Sequence, residues 1–163
     1  MKNEIKLGAK IRDAASGFTG FAVTYSEQLS GSRRYGIQPY VEDGSEYKDA
    51  YEIDDALVEV VDEGITHRAT DPNPDIPIKC GHEVEDPVTG LKGTVTMMSL
   101  WINGCVICLV QPKGKGDKVP EAVWVDWKRL KIKSKGVAED SKSPIKREKT
   151  GGPAENMRMR RTA

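Results

Sequence analysis

The sequence has little of what membrane spans, disulfide frameworks and most active sites require. Its 163 residues include three cysteines, two histidines and two phenylalanines. No apolar run approaches the roughly 20 residues of a membrane-spanning helix, and the N-terminus lacks the apolar region of a secretory signal. We therefore expect no membrane contact, synthesis in the cytoplasm, and cysteines that are reduced instead of bridged.

No arrangement of residues typical of an active site is evident. Neither His67 nor His82 has an obvious serine or cysteine partner, and paired carboxylates such as Asp54 and Asp55 fall in loops or at strand ends. The chain also has no phosphate-binding loop and no dinucleotide fingerprint. The sequence therefore predicts a non-enzymatic protein with no catalytic residues and no cofactor.

The formal net charge of zero hides a strong polarity along the chain. Residues 1–75 carry 8 basic and 15 acidic side chains, whereas residues 134–163 carry 8 basic and 4 acidic ones. Such a polarity suits stacking against like copies or against a surface of mixed sign. It differs from the uniform basicity of a dedicated nucleic-acid binder.

An internal duplication organises the sequence. Residues 7–39 align without a gap to residues 80–112 at a constant offset of 73, and a shorter match at an offset of 72 follows the variable loops. Half of the identities are glycines, which accept backbone conformations closed to other residues, so the duplication preserves a fold more than a chemistry. The identical pairs are Gly8/Gly81, Asp13/Asp86, Gly17/Gly90, Gly20/Gly93, Ser26/Ser99, Gly31/Gly104, Gln38/Gln111 and Pro39/Pro112.

Each half of the duplication reads as about five short strands. The runs 21–29 and 94–102 are β-branched or aromatic, and Ser30-Gly31 and Asn103-Gly104 follow them as hairpin turns. Five strands in about 55 residues, with a glycine-bent second strand, fit a small SH3-like barrel. The predicted fold is therefore all-β, with two tandem small SH3-like barrels and an extended or disordered basic C-terminal tail. The predicted parts are copy one (1–63), a Pro-rich linker (64–78), copy two (79–133) and the tail (134–163).

The segment Gly81–Val95 has the pattern G-x-x-V-x-D-x-x-T-G-x-x-G-x-V, which resembles the opening of KOW-type and other SH3-like barrels. With N-G-C at 103–105, Q-P at 111–112 and W-V-D at 124–126, the unit also resembles a small family of bacteriophage proteins. The resemblance covers about 110 of 163 residues and is weaker in copy one. It implies a phage-encoded β-barrel module, and KOW kinship implies contact with RNA or the ribosome.

Four residues of copy two form a weak candidate zinc site. Cys80-x-His82 and Cys105-x-x-Cys108 supply the ligand types that tetrahedral zinc accepts. However, residues three apart on a strand point to opposite faces, and copy one lacks all four ligands. We therefore favour packing roles for the cysteines, over both zinc and a redox pair. The copy-one counterparts are Leu7, Ala9, Ser32 and Tyr35.

Three groups of residues are candidates for partner binding. Cations beside aromatic residues can hold phosphates while the rings stack on bases, although such lysines and arginines can also simply keep strand edges soluble. Apolar side chains on an alternating strand exceed what one small core can bury, which marks a protein interface. The candidates are Arg33, Arg34 and Tyr35; Met97, Trp101, Lys128 and Arg129; and Arg158, Arg160 and Arg161 in the tail.

These observations predict a bacteriophage interaction module, associated with the virion as an accessory or decoration protein that stabilises the capsid. Its expected partners are phage structural proteins in a repetitive lattice, or further copies of itself. The second hypothesis is a KOW-like nucleic-acid-binding protein acting on host transcription or translation. The third is an inhibitor or sponge of a host defence factor.

Overall fold

The computed structural model describes residues 5–68 and 74–138, and in that part of the chain all strands pair antiparallel and the only helices are three-residue 3₁₀ turns. The all-β prediction is therefore confirmed, whereas the predicted tail lies almost entirely outside the described residues. The strands of copy one are β1 (Lys10–Asp13), β2 (Thr19–Gln28), β3 (Arg33–Gln38), β4 (Tyr51–Asp54) and β5 (Val58–Asp62).

Copy two repeats the strands of copy one at nearly the same offsets. Its last strand runs one residue past the predicted end of the copy. Its strands are β6 (Glu83–Glu85), β7 (Lys92–Trp101), β8 (Val106–Pro112), β9 (Val123–Asp126) and β10 (Lys131–Ser134). The 3₁₀ turns are Asp55–Leu57, Thr66–Arg68, Trp127–Arg129 and Gly136–Ala138.

Within each copy the five strands pair in the same order. Copy one pairs as β5-β1-β2-β3-β4, and copy two pairs as β10-β6-β7-β8-β9. A 3₁₀ turn precedes the last strand of each copy, and an aspartate caps it by accepting a backbone N–H two residues later. The capping carboxylates are those of Asp54 and Asp126. The repeated sequence therefore produces a repeated local structure down to its hydrogen bonds.

The two copies join through their second strands. The C-terminal half of β2 pairs antiparallel with the C-terminal half of β7, and Ser26 lies directly opposite Ser99. These two serines are equivalent positions of the duplication, and the flanking pairs Thr24–Trp101 and Gln28–Met97 are related in the same way. The two copies are therefore related by a pseudo-twofold axis at this joint.

A bulge in each second strand supplies extra hydrogen bonds to this joint. The register of β2 against β3 shifts at Val23, and that of β7 against β8 shifts at Thr96, which is the equivalent residue. The freed carbonyls face the other copy: Val23 accepts from the Ile102 amide at 2.9 Å, and Thr96 accepts from the Leu29 amide at 2.8 Å. The bulges thus serve the pairing between copies.

The sequence predicted two barrels joined by a linker, but the structure has one open antiparallel sheet of ten strands that runs through both copies. Buried residues of both copies form a single apolar cluster. Ile76 and Ile78, which the sequence places in the linker, are buried members of that cluster. The linker therefore contributes to a shared core.

The invariant Gln-Pro at the end of the third strand ties down the loop that follows it. The Gln38 side-chain amide donates to the Lys48 carbonyl at 2.7 Å, and that of Gln111 donates to the Pro120 carbonyl at 2.7 Å. The two loops differ in sequence, but each is held by the same residue to the same strand. The duplication therefore preserved the glutamine as a loop anchor.

The glycine near the start of each second strand is required by a close approach of two backbones. An added Cβ on Gly20 would overlap the Gln38 carbonyl oxygen, and one on Gly93 would overlap the Gln111 carbonyl oxygen. Neither atom belongs to a flexible side chain, so the strands would have to separate. This contact explains why the second glycine of the repeated Gly-x-x-Gly is kept in both copies.

We predict that Gly20→Ala and Gly93→Ala each lower the free energy of unfolding by about 1–3 kcal/mol, because backbone must shift to admit the methyl group. Denaturant unfolding followed by circular dichroism measures the change. Thr19→Ala, at an exposed neighbouring position, is the matched control and should change stability by less than about 0.5 kcal/mol. Equal stability of the glycine variants and the control would contradict the role of this close backbone approach.

Candidate functional site

A row of apolar side chains crosses copy two on the side of the sheet that faces away from the core. Met97 on β7 lies opposite Leu109 on β8, and Leu109 lies opposite Trp124 on β9. Directly paired residues share a face of the sheet. Alternation places Ile107 and Trp101 on this same face. We call these five residues the apolar face.

The burial pattern along β8 confirms which side this is. Val106, Cys108 and Val110 are buried in the core, whereas the alternating residues Ile107 and Leu109 are only half-buried. The two tryptophans are more open, with 43% of Trp101 and 46% of Trp124 exposed. Large apolar side chains on one face of the sheet are thus accessible to a partner.

The sister copy shows that the fold does not require apolar residues at these positions. In copy one the corresponding row across β2, β3 and β4 is paired in the same register. Every member is polar or lacks a side chain, although the backbone is the same. The counterparts of Met97, Trp101, Ile107, Leu109 and Trp124 are Thr24, Gln28, Arg34, Gly36 and Glu52. The apolar face is therefore specific to copy two.

The arginine pair predicted for partner binding is engaged in ion pairs. Arg33 pairs with Asp55 at 2.7 Å, and Arg34 pairs with Glu52 at 3.5 Å. All four groups are at least partly exposed, so the pairs are worth little to stability. They nevertheless reduce the positive charge that this surface offers to a phosphate.

Tyr35 was predicted to contact a partner, and this prediction is wrong because the side chain is only 2% exposed. Its ring packs against Tyr25 at a centroid distance of 5.0 Å, and its hydroxyl accepts from the Ile5 amide at 3.3 Å. The strand β3 turns this residue into the core, while its neighbours Arg33 and Arg34 lie nearer the surface. Alternation alone could have indicated this.

The remaining predicted residues are placed differently from one another. Met97 and Trp101 belong to the apolar face. Arg129 donates through its guanidinium to the buried carboxylate of Asp86, so it serves the fold, and Lys128 is exposed. The sequence reasoning missed Ile107 and Leu109 as surface residues and left Trp124 open between stacking on bases and packing in the core, since only the strand register shows which side they occupy. Arg158, Arg160 and Arg161 lie outside the described residues.

The candidate zinc ligands are not arranged as a metal site. Among the residues that the structure describes, no three His, Cys, Asp or Glu side chains come together to hold an ion. Cys105 lies in the hairpin turn after β7, whereas Cys108 is buried on β8. Cys108 takes the core position that Tyr35 fills in copy one.

The thiols of Cys80 and Cys108 are held in their protonated form. Burial raises the pKa of Cys80 to about 12, and its Sγ donates to the Glu27 carbonyl at 3.3 Å. Burial likewise raises the pKa of Cys108 to about 12. Nucleophilic attack needs the thiolate, so these two side chains fit packing roles better than a catalytic or redox role.

His82 is close to Cys80 in the sequence and is also buried, and its side chain hydrogen-bonds to the backbone. Burial lowers the pKa of His82, and the charges of Lys79 and Lys135 add to the effect. Its Nδ1 accepts from the Lys79 amide at 3.3 Å. The imidazole is therefore neutral at physiological pH and already engaged at one nitrogen.

Comparisons of the chain with protein-family models, with curated proteins and with solved structures find no match. The reference for the apolar face is therefore the sister copy, which has the same backbone and different side chains. Within residues 5–68 and 74–138, no helix is long and apolar enough to cross a membrane.

We predict that iodoacetamide at pH 8 modifies Cys105 of the native protein at least about a hundredfold faster than Cys80 or Cys108. Iodoacetamide reacts with the thiolate, and the raised pKa of Cys80 and Cys108 leaves little of either side chain in that form. Peptide mass spectrometry over a time course measures the three rates. In denaturant all three should react alike, which serves as the control. Rapid native modification of Cys108 would contradict its placement in the core.

Proposed function

We propose that this protein is a non-enzymatic protein-binding module, and that it attaches through the apolar face to a repetitive lattice of bacteriophage structural proteins. The observation that carries the binding role is the asymmetry between the copies. One copy presents Trp101 and Trp124 on an outer row whose equivalents in the other copy are Gln28 and Glu52. Exposed aromatic anchors on a rigid sheet are typical of protein interfaces.

The proposed setting in a phage virion, as an accessory or decoration protein, depends on the resemblance carried by Gly81–Val95. We also propose that each copy is a variant of the SH3-like module. Five short strands, a glycine-bent second strand and a 3₁₀ turn before the last strand support that assignment. Tandem modules of this kind bring two surfaces of different chemistry into one small protein.

The ion pairs favour a protein partner over nucleic acid. Arg33, Arg34 and Arg129, three of the cations expected to hold phosphates, each pair with a carboxylate. A phosphate would have to displace these carboxylates before the charges could bind it. The apolar face has no such competition, since burying it against a protein removes apolar surface from water.

The virion proposal predicts that peptides of this chain are present in purified particles of the phage that encodes it. Mass spectrometry should find them at a fixed ratio to the major capsid protein, because a lattice offers a defined number of equivalent sites. Particles washed at high salt should retain the protein, since apolar contacts persist when charge is screened. Absence of the protein from the particles would refute the virion proposal.

The apolar face predicts the effect of replacing its tryptophans by the copy-one residues. Trp101→Gln with Trp124→Glu should weaken attachment to particles at least about 30-fold, because aromatic anchors each contribute about 2 kcal/mol or more to interfaces. Co-sedimentation with particles measures binding. The fold should persist, since copy one carries these side chains on the same backbone.

The control for this experiment is Val119→Thr, which removes an apolar side chain that is 78% exposed in the loop before β9. That variant should attach like the wild type. Unchanged attachment of the double tryptophan variant would show that the apolar face is not the docking surface. Analytical ultracentrifugation of the free protein tests the competing occupant, a second copy of the chain.

A further inference from the structure

The two copies carry the same buried aspartate where the first strand ends. Asp13 accepts from the Ala15 amide at 3.0 Å, and Asp86 accepts from the Val88 amide at 3.0 Å. The second oxygen of each carboxylate accepts a hydroxyl, from Ser16 in copy one and from Thr89 in copy two. Both aspartates are almost fully buried, at 3% and 0% exposed.

The electrostatic surroundings of the two carboxylates favour their charged form by different means. Hydrogen bonds from the Ser16 hydroxyl and the Ala15 amide lower the pKa of Asp13. Burial opposes ionisation of Asp86, but hydrogen bonds from Thr89, Val88 and the Arg129 guanidinium outweigh it and lower its pKa. Both turns therefore hold a buried negative charge.

Copy two neutralises this charge with an arginine of its own, whereas the described part of copy one has no equivalent ion pair. The Arg129 guanidinium donates to the same Asp86 oxygen that accepts from Thr89. The position equivalent to Arg129, at the end of the 3₁₀ turn, is Leu57 in copy one. Among the described residues, no lysine, arginine or histidine forms an ion pair with Asp13.

A cavity of about 420 Å³ lies over Asp13. We call it the Asp13 pocket. The residues that line it include Glu52, Asp54, Tyr51 and Leu57, and the Asp54 carboxylate also accepts from the Ala56 amide. Arg34 is its one cation and is already paired with Glu52. The pocket therefore has an excess of negative charge beside one aromatic ring.

These groups match the chemistry of an arginine side chain. A guanidinium forms charge-assisted hydrogen bonds to carboxylates and stacks on an aromatic ring, and the Tyr51 ring is half exposed beside Asp54. Leu57, which is 40% exposed, lines this pocket at the position that Arg129 takes in copy two. Copy two already demonstrates that this turn accepts a guanidinium.

We propose that the Asp13 pocket binds an arginine side chain, and that the arginine-rich C-terminal segment of the same chain, residues 157–161, supplies it. That segment reads MRMRR, and the 30 residues that contain it have 8 basic and 4 acidic side chains. The 19 residues between Ala138 and Arg158 let the chain span up to about 70 Å when fully extended. Because this segment is tethered to the pocket by the same chain, the encounter is intramolecular and the effective concentration of arginine at the pocket is raised.

The test compares the ¹⁵N-labelled full chain with a triple variant, Arg158→Gln, Arg160→Gln and Arg161→Gln. The amide signals of Ala15 and Ser16 should differ between the two proteins at low salt and converge as salt screens the pairing. The equivalent signals of Val88 and Thr89 should not change, because Arg129 already occupies copy two. Identical Ala15 and Ser16 signals in both proteins would overturn the proposal.

Two further arms identify the pocket and the source of the arginine. A synthetic peptide of residues 154–163, added to the triple variant, should restore the wild-type signals. Adding Leu57→Arg to the triple variant should weaken peptide binding at least about tenfold, because the new guanidinium occupies the site. Equal binding to both would overturn the location. A wild-type difference that grows with protein concentration would place the arginine on a second copy and overturn the intramolecular assignment.

Discussion

The antiparallel pairing of β2 with β7 is the interaction on which the rest of the structure depends. Each second strand has to serve three neighbours, since β2 pairs with β1, β3 and β7. The bulge at Val23 divides one edge of the strand, so that one part pairs within its own copy and the remainder pairs with the other copy. Buried residues of both copies form a single core, so this pairing holds together a cluster that neither copy completes alone.

Much of the local structure follows from the sequence, but the joint between copies does not. Alternation, hairpin turns and the duplication itself were sufficient to place the strands. The burial of Tyr35 could have been inferred from the same alternation. The pairing of Ser26 with Ser99 could not, because period-two patterns specify the faces of a strand and leave the partner at its edge open. Ile76 and Ile78 were missed for a related reason, since proline-rich composition outweighed two isolated apolar residues.

The candidate sites were accessible from the sequence only in part. Met97 and Trp101 were found because apolar residues exceeded the capacity of a small core. Ile107, Leu109 and Trp124 share a face with them because the bulge at Thr96 reverses the side of the sheet that the later residues of β7, Met97 and Trp101, occupy. The ion pairs of Arg33, Arg34 and Arg129 could not be predicted, because ion pairing depends on neighbours that are distant in the chain, such as Asp86 for Arg129.

Duplication within one chain allows the two copies to carry different surface residues, which the subunits of a symmetric homodimer cannot do. In a twofold dimer every surface residue appears twice, so an apolar row beside the axis would appear on both subunits. Here the residues that build the fold, including Gly20, Gly93 and the two buried aspartates, are kept in both copies. The outer rows and the position of Leu57 and Arg129 have diverged. The pattern of divergence therefore separates structural residues from candidate binding residues, with each copy acting as the control for the other.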